Sequence, residues 1–254
     1  MKITLDFRKT IEENAADYFE KAKKAKKKSA GAKKALINSK EKLEKAKNKI
    51  VVSEAPNITK LKKREWYEKY HWFISSDGFL VIGGRDATTN EIVIKKHTDK
   101  DDMVFHTDMA GSPFVVVKSE GKEVPKTTIQ EAADFTAVFS KGWKQGMSTL
   151  EVFHVKPEQV TKEANQGEFL PKGAFMIRGK TDYVTPTMNA SIGIYKDKVM
   201  IGPLTAVQKH CKEFVIIVQG EKKTSDVGKK VKFIIGGDLD EIIRALPAGG
   251  CDIK

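Results

Sequence analysis

The residues of this chain best suited to chemistry are concentrated between positions 72 and 118. A glycine turn there follows a short apolar run and carries an arginine, with polar residues soon after it. Successive backbone N–H groups at such a turn can hold a phosphate, helped by a neighbouring guanidinium. The alternative is structural: the glycines permit a tight turn, and the arginine pairs with a nearby carboxylate, Asp86 or Glu91. The residues of this motif are Gly83, Gly84, Arg85, Asp86, Asn90 and Glu91.

A second candidate site is formed by His106 and Asp108. They lie two positions apart in an alternating strand pattern, so their side chains are expected to share a face. With His71 or His97 they could form a metal or hydrolase site, but the spacing matches no ligand signature. We expect a histidine hydrogen-bonded to a carboxylate within the scaffold instead. The sequence also shows no Walker-type loop, nucleophile elbow or zinc pattern, so we expect no catalytic residue, metal or cofactor.

Lysine supplies the third kind of chemistry, which is attraction of a polyanion. Residues 1–64 contain 20 Lys and Arg against 8 Asp and Glu, whereas residues 65–254 contain 26 of each, so the first quarter carries the whole net charge of +12. Six of the eight residues from Lys21 to Lys28 are lysine. Such charges repel in a free helix, and a nucleic acid would relieve this repulsion. The alternative to nucleic-acid binding is that these lysines only form a helix surface that faces solvent. The candidate contacts in this run are Lys23, Lys24, Lys27 and Lys28.

Residues 1–50 are predicted to form a basic coiled-coil arm. Residues 9–49 contain no proline and are mostly strong helix formers, with apolar residues at three-, four- and seven-residue spacing. Ser29-Ala30-Gly31 is the one candidate break. We favour a continuous helix over a hairpin, because one glycine costs only about 1 kcal/mol. A continuous helix would need a partner helix to cover its apolar stripe.

Residues 51–63 are predicted to be a linker, since Pro56 and Asn57 interrupt the helical pattern. Residues 64–254 are predicted to form an α+β domain with a mixed, mainly antiparallel sheet and flanking helices, because strands and helices follow one another without regular βαβ alternation. Thr88 or Thr89 is expected to cap the helix after the glycine turn. Thr127 or Thr128 is expected to begin a capping box in the next helix.

The remaining composition indicates a protein of the cytoplasm. No apolar run approaches the roughly 20 residues that span a bilayer, and the first residues lack the pattern of a secretory signal. The chain has only two cysteines, Cys211 and Cys251, which lie far apart in no metal-like spacing. A reduced compartment is the simplest interpretation of so few cysteines. We therefore expect no membrane partner.

Ordered motifs along nearly the whole chain resemble the C-terminal part of the NFACT family, the proteins of ribosome-associated quality control, in an archaeal-type version. Family members have an N-terminal domain, a helix-hairpin-helix segment, a coiled coil and an RNA-binding domain called NFACT-R. This chain resembles only the last two, as a fragment or as a short stand-alone member. The motifs that carry the resemblance include Glu13-Asn14-Ala15-Ala16, Trp72-Phe73, Asp77-Gly78, Gly83-Gly84-Arg85-Asp86, Asn90-Glu91, Val104-Phe105-His106 with Asp108, Gly111-x-Pro113, Arg178-Gly179 and Gly202-Pro203.

The resemblance implies a non-enzymatic module that binds the large ribosomal subunit, tRNA, or both on stalled ribosomes. The coiled coil of the family reaches along the subunit towards the stalk base, and full-length members support C-terminal tailing of the nascent chain. Two rival functions are a general DNA or RNA binder acting through the lysine arm, and a metal-dependent enzyme at His106 and Asp108. With the arm lysines, the expected RNA contacts are Arg85, Lys95, Lys96, Lys118, Lys162 and Arg178.

Overall fold

The computed structural model describes residues 4–50, 64–164, 169–188 and 190–254, apart from the side chains of 42–50. The chain forms two compact units, Met1–Lys63 and Arg64–Lys254. The predicted linker, 51–63, lies outside the described residues. Within the described residues, no helix is long and apolar enough to cross a membrane.

In its described residues, the first unit is a short lead-in, residues 4–10, followed by one long helix, α1 (Ile11–Ile50). This helix runs unbroken through Gly31, so the prediction of a continuous helix rather than a hairpin is confirmed. Its 40 residues give a length of about 60 Å at the usual rise per residue. Apolar side chains of the predicted stripe are exposed, with Ile11 at 83% and Leu36 at 58%. A partner helix for this stripe remains a prediction.

The start of α1 is fixed by hydrogen bonds that also explain its Glu13-Asn14 motif. Thr10 Oγ1 accepts from the Glu13 amide at 3.2 Å, and Glu13 Oε2 accepts from the Thr10 amide at 2.8 Å, which is a capping box. Asn14 accepts from the Asp6 amide at 2.9 Å and donates to the Thr10 carbonyl at 2.9 Å. Asn14 therefore ties the preceding turn to the first helical turn.

The second unit contains three antiparallel sheets in its described part. Six strands pair in the order β1-β2-β4-β3-β5-β8, four in the order β10-β9-β11-β12, and β6 with β7. The strands are β1 (His71–Ile74), β2 (Leu80–Gly83), β3 (Met103–Thr107), β4 (Val115–Lys118), β5 (Val152–Val155), β6 (Val160–Thr161), β7 (Met176–Ile177), β8 (Asp182–Val184), β9 (Ala190–Tyr195), β10 (Lys198–Gly202), β11 (Phe214–Lys222) and β12 (Cys251–Ile253).

Helices flank these sheets and complete the α+β fold that the sequence predicts. The Phe135 ring of α3 packs on Phe73 of β1, with ring centroids 4.8 Å apart. Tyr70, Trp72 and Phe73, three aromatic residues shortly before β2, are buried and belong to the core. The helices of this unit are α2 (Ala87–Lys96), α3 (Lys126–Val138), α4 (Lys141–Lys144), α5 (Leu204–His210), α6 (Thr224–Ile235) and α7 (Leu239–Ala245).

The predicted capping boxes of α3 are wrong. The helix begins after Pro125 without a side-chain cap, because the predicted capping groups have tertiary partners. Thr128 donates to Ser75 and Asp77, each at 2.9 Å. Glu131, the predicted partner of Thr128, is buried and accepts instead from the Ser76 amide and the Thr205 hydroxyl. These bonds anchor α3 to the turn after β1 and to α5.

Candidate nucleic-acid interface

A concave pocket of about 430 Å³ opens in the second unit beside the glycine turn that follows β2. We call it the groove. Three segments form its walls: the turn with the start of α2, the loop between β3 and β4, and residues 171–175. A smaller pocket of about 40 Å³ adjoins it and shares His71 and Arg85 as lining residues.

The glycine turn and Asn90 hold the first two walls together. A Cβ on Gly84 would lie 1.9 Å from Asn90 Oδ1, so only glycine fits at this position. Asn90 Oδ1 accepts from the Phe114 amide at 3.1 Å, which fixes the loop before β4. Asp86 caps α2 by accepting from the Thr89 amide at 2.8 Å. The predicted cap, Thr88 or Thr89, is therefore wrong, because Thr89 occupies the third helical position as the partner of Asp86.

Gly173 brings the third wall against the start of α2. Its φ is +81°, and a Cβ there would lie 2.5 Å from the Cα of Ala87. Phe175, two residues further on, meets Phe114 edge-on at 5.2 Å, and Lys162 Nζ lies 4.5 Å from the centre of the Phe175 ring. The close backbone approach thus places an aromatic ring in the groove wall.

Arg85 contributes a positive charge that no carboxylate neutralises in the described residues. Its Nη1 donates to the Arg244 carbonyl at 2.6 Å and its Nη2 to the Tyr70 carbonyl at 2.9 Å, while its buried Nε has no partner there. Burial, with the nearby Arg244 charge, lowers the pKa of Arg85 to about 10. The alternative pairing of Arg85 with Asp86 or Glu91 is wrong, because Asp86 caps α2 and Glu91 binds Lys162 at 2.7 Å.

His71 lies beside Arg85 and is the second polar group of the groove without a partner. Its Nδ1 is buried and has no hydrogen bond within the described residues, and its ring stacks on Phe139 at 3.8 Å. Burial holds the pKa of His71 well below its usual value, and the charges of Arg85 and Arg244 lower it further. The imidazole is therefore neutral at pH 7.

His106 and Asp108 do not form the predicted histidine–carboxylate pair. His106 Nδ1 donates to the Thr107 carbonyl at 2.6 Å, and its ring stacks on Phe114 at 4.2 Å in the groove wall. Asp108 is exposed beyond the end of β3 and accepts from the Tyr183 hydroxyl at 3.2 Å. Burial lowers the pKa of His106. In the part of the chain that the structure describes, no group of three or more His, Cys, Asp or Glu could hold a metal ion.

The expected contact at Lys118 requires a correction, because its ammonium group is engaged inside the domain. Lys118 donates to the Asp102 carboxylate, to Asp99 at 2.6 Å and to the His97 carbonyl at 3.1 Å. Only 11% of the Lys118 side chain and 1% of the Asp102 side chain are exposed. Lys118 therefore stabilises the domain and offers no free charge.

The other predicted cations of the domain lie nearer the surface. Lys162 and Lys95 both contact Glu91, at 2.7 and 3.7 Å. Arg178 is exposed and donates to the Glu163 carbonyl at 3.2 Å. Lys96 is exposed in the last turn of α2. Lys162 and Lys95 share one carboxylate, that of Glu91.

The four predicted lysines of the arm are exposed, and no ion pair joins them to a carboxylate in the described residues. At about 100° per residue, they span roughly 140° of the helix circumference. Ala22, Ala25 and Leu36 of the apolar stripe fall on the opposite side of the same projection. The face that carries the charge is defined by Lys23, Lys24, Lys27 and Lys28.

Sequence reasoning missed several residues of these pockets. Lys172 and the rings of Phe114, Phe139 and Phe175 line the groove, and Arg244 lines the smaller pocket. Arg244 is 159 residues from Arg85 in sequence, and no spacing signal connects the two. The contact of Arg85 with the Arg244 carbonyl could be found only from the folded structure.

Together these features define a protein with an α+β domain that carries a concave, cation-lined groove, and with a basic helical arm. Residues 69–179 match the family model described as the NFACT protein RNA binding domain, and most of the groove lies within this range. The chain belongs to the NFACT family.

Curated proteins that are similar to this chain include subunits of the ribosome quality control complex and an archaeal homolog. The archaeal Rqc2 homolog aRqcH of Methanocaldococcus jannaschii is 44% identical over 200 residues, which are 76% of this chain and 30% of the relative. The ribosome quality control complex subunit NEMF of Homo sapiens is 35% identical over 179 residues, or 68% of this chain and 16% of the relative. The NEMF homolog of Drosophila melanogaster is 38% identical over 139 residues, or 54% and 14%. The chain thus spans less than a third of these relatives.

A solved structure is similar at a lower level. The C-terminal part of the fibronectin/fibrinogen-binding protein from Streptococcus suis aligns with a TM-score of 0.40 and 20% identity, over 70% of this chain and 77% of that chain.

Proposed function

We propose that this chain is an RNA-binding module of ribosome-associated quality control, which binds the large ribosomal subunit, tRNA, or both on stalled ribosomes. The observation that carries this proposal is the match of residues 69–179 to the NFACT RNA-binding domain, since most of the groove falls in that range. The names of the relatives support the process. In this proposal the protein acts in the cytoplasm as a binding module and performs no catalysis.

The arm and the domain make different contributions to binding. The arm carries an exposed lysine face without acidic partners in its described part, and such a face attracts phosphates over a distance that salt screens. The second unit has 26 acidic and 26 basic residues from position 65 onwards, so bulk charge cannot attract RNA to it. Its contribution is a small number of directed contacts, made by Arg85, Lys95, Lys96, Lys162 and Arg178.

Binding of a labelled tRNA, followed by fluorescence anisotropy across a salt series, tests this function. We expect Arg85→Gln to weaken binding and to reduce the slope of log affinity against log salt by about 0.7, the value of one phosphate contact to a single strand. Lys122→Gln is the matched control, because Lys122 is exposed outside both pockets. Equal tRNA affinity of the folded Arg85→Gln variant and the wild type would show that Arg85 does not contact the RNA.

A general polyanion binder is the second candidate, and the exposed lysine face favours it. Such a protein would bind duplex DNA and tRNA with equal affinity, and only arm variants would weaken either complex. We expect tRNA to outcompete duplex DNA of equal phosphate content. Equal competition would assign binding to the arm alone.

A further inference from the structure

The groove has the size and lining of a site for a small planar group. Its volume of about 430 Å³ lies in the range of small-molecule sites. Phe114, Phe139 and Phe175 line it together with the imidazoles of His71 and His106. Aromatic rings of this kind are the surfaces on which unstacked RNA bases pack.

Two buried polar atoms in the lining residues have no partner within the described chain. They are Nδ1 of His71 and Nε of Arg85, on residues that line the groove side by side. Both atoms are themselves buried, so a ligand in the groove meets the accessible parts of the His71 ring and of the Arg85 guanidinium.

The charges around the groove suit the phosphate that accompanies a base. Arg85 and Lys172 line the groove, whereas the adjoining small pocket holds cations as well as the carboxylates of Glu68 and Glu241. The one carboxylate among the lining residues, Asp86, caps α2 by accepting from Thr89. The groove therefore joins aromatic walls with two cations, Arg85 and Lys172, against one carboxylate that already caps a helix.

We propose that the groove holds one unstacked nucleobase of the bound RNA, with its phosphate beside Arg85 and Lys172. The base packs among Phe114, Phe139 and Phe175, which line the groove. This proposal rests on the RNA-binding function proposed above and names what the groove takes from the RNA.

¹⁵N NMR of the histidine rings in the full chain tests whether a base enters the groove, without requiring RNA. The chain has five histidines, so the ring ¹⁵N signals can be assigned individually. We expect millimolar GMP, AMP, CMP or UMP to shift the His71 ring signals, because His71 lines the groove and the ring current of a bound base acts on it. The His210 signal serves as internal control, since His210 Nε2 bonds the Ser75 carbonyl outside the groove. Ribose 5-phosphate is the probe without a base and should leave His71 unshifted.

A pocket-filling variant tests the same idea on RNA. Ala110 is exposed and lines the groove, so Ala110→Trp blocks the groove without changing its charge or the core. We expect about a tenfold loss of tRNA affinity, the lower range for one stacked base, with an unchanged salt slope. Gln208→Trp on α5 is the control, because Gln208 is exposed and lies outside the groove.

Two results would overturn base insertion. One is a His71 shift that ribose 5-phosphate reproduces in full, which would make the groove a phosphate site. The other is an Ala110→Trp variant that binds tRNA as tightly as the Gln208→Trp control. Wild-type binding to tRNA would survive either result, whereas failure of the proposed function would show as no tRNA binding by the wild type.

Discussion

The lysine face of α1 allows the sharpest prediction, because equal charge can be removed from two sides of one helix. Lys24, Lys27 and Lys28 lie on the predicted face, within about 100° of each other in helical projection. Three further lysines lie on the other side of α1, within about 40° of each other. Replacing either set with glutamine lowers the net charge by the same amount. The control set is Lys26, Lys33 and Lys40, all of which are exposed.

The magnitude follows from counterion release. Three phosphate contacts to a single strand contribute about 2 to the slope of log affinity against log salt. We expect the Lys24→Gln, Lys27→Gln, Lys28→Gln variant to lose about that much slope on a labelled tRNA, measured by anisotropy across a salt series. The control variant should keep a slope within about 0.7 of the wild type, the value of one contact.

Circular dichroism of both variants at each salt concentration shows whether helicity changes, because removing like charges also stabilises a helix. Equal slope losses in the two triple variants would refute the reasoning. Such a result would mean that the arm attracts RNA by its total charge, without a defined contact face.

Three further predictions concern the domain itself. Lys118→Met leaves the buried Asp102 carboxylate without its cation, so the unfolding free energy in urea should fall by about 3 kcal/mol or more; a loss below about 0.5 kcal/mol would contradict this pairing. Burial raises the pKa of Cys211 and of Cys251 to about 11, so at pH 8 neither native thiol should react readily with Ellman's reagent, whereas both should react in urea. The pKa of His71 is lowered in the folded protein, so the unfolded chain takes up more protons near pH 6. The free energy of unfolding is therefore full above about pH 6.5 and declines by up to about 1.4 kcal/mol per pH unit as pH falls. A thermal-melt pH series of the His71→Gln variant should show a smaller decline.

The long arm helix and the antiparallel domain could be predicted from the sequence because both depend on local signals. Helix formers without proline favour one helix, and a single Gly31 is too weak to break it. Glycine turns between short apolar runs favour antiparallel strands, as in the pairing of Phe73 with Val81 across the turn before β2. These signals act over a few residues and need no knowledge of tertiary contacts.

The capping boxes of α3 were mispredicted because tertiary partners competed for the same side chains. Thr128 has the spacing of a capping residue, but its hydroxyl bonds Ser75 and Asp77. The residue three positions on, Glu131, is held by the Ser76 amide and the Thr205 hydroxyl. A sequence pattern shows that a cap is chemically possible and cannot show which partner lies nearest.

The same limit applies to the candidate site. The glycine turn identified Arg85 as a prominent cation, and the structure places it in the groove. Its acceptors, the carbonyls of Tyr70 and Arg244, are main-chain atoms and leave no trace in residue type. Lys118 looks like any other lysine in the sequence, yet burial beside Asp102 removes it from the surface.

Co-sedimentation with purified large ribosomal subunits tests the central claim most directly. The full chain is mixed with large subunits, with and without bound peptidyl-tRNA, and with small subunits as the matched RNA-rich control. We predict that the protein pellets with large subunits at a salt concentration near 150 mM, where exposed charges are screened beyond about 8 Å. Pelleting should increase with peptidyl-tRNA present. Equal recovery with large and small subunits, or none with either, would contradict the account.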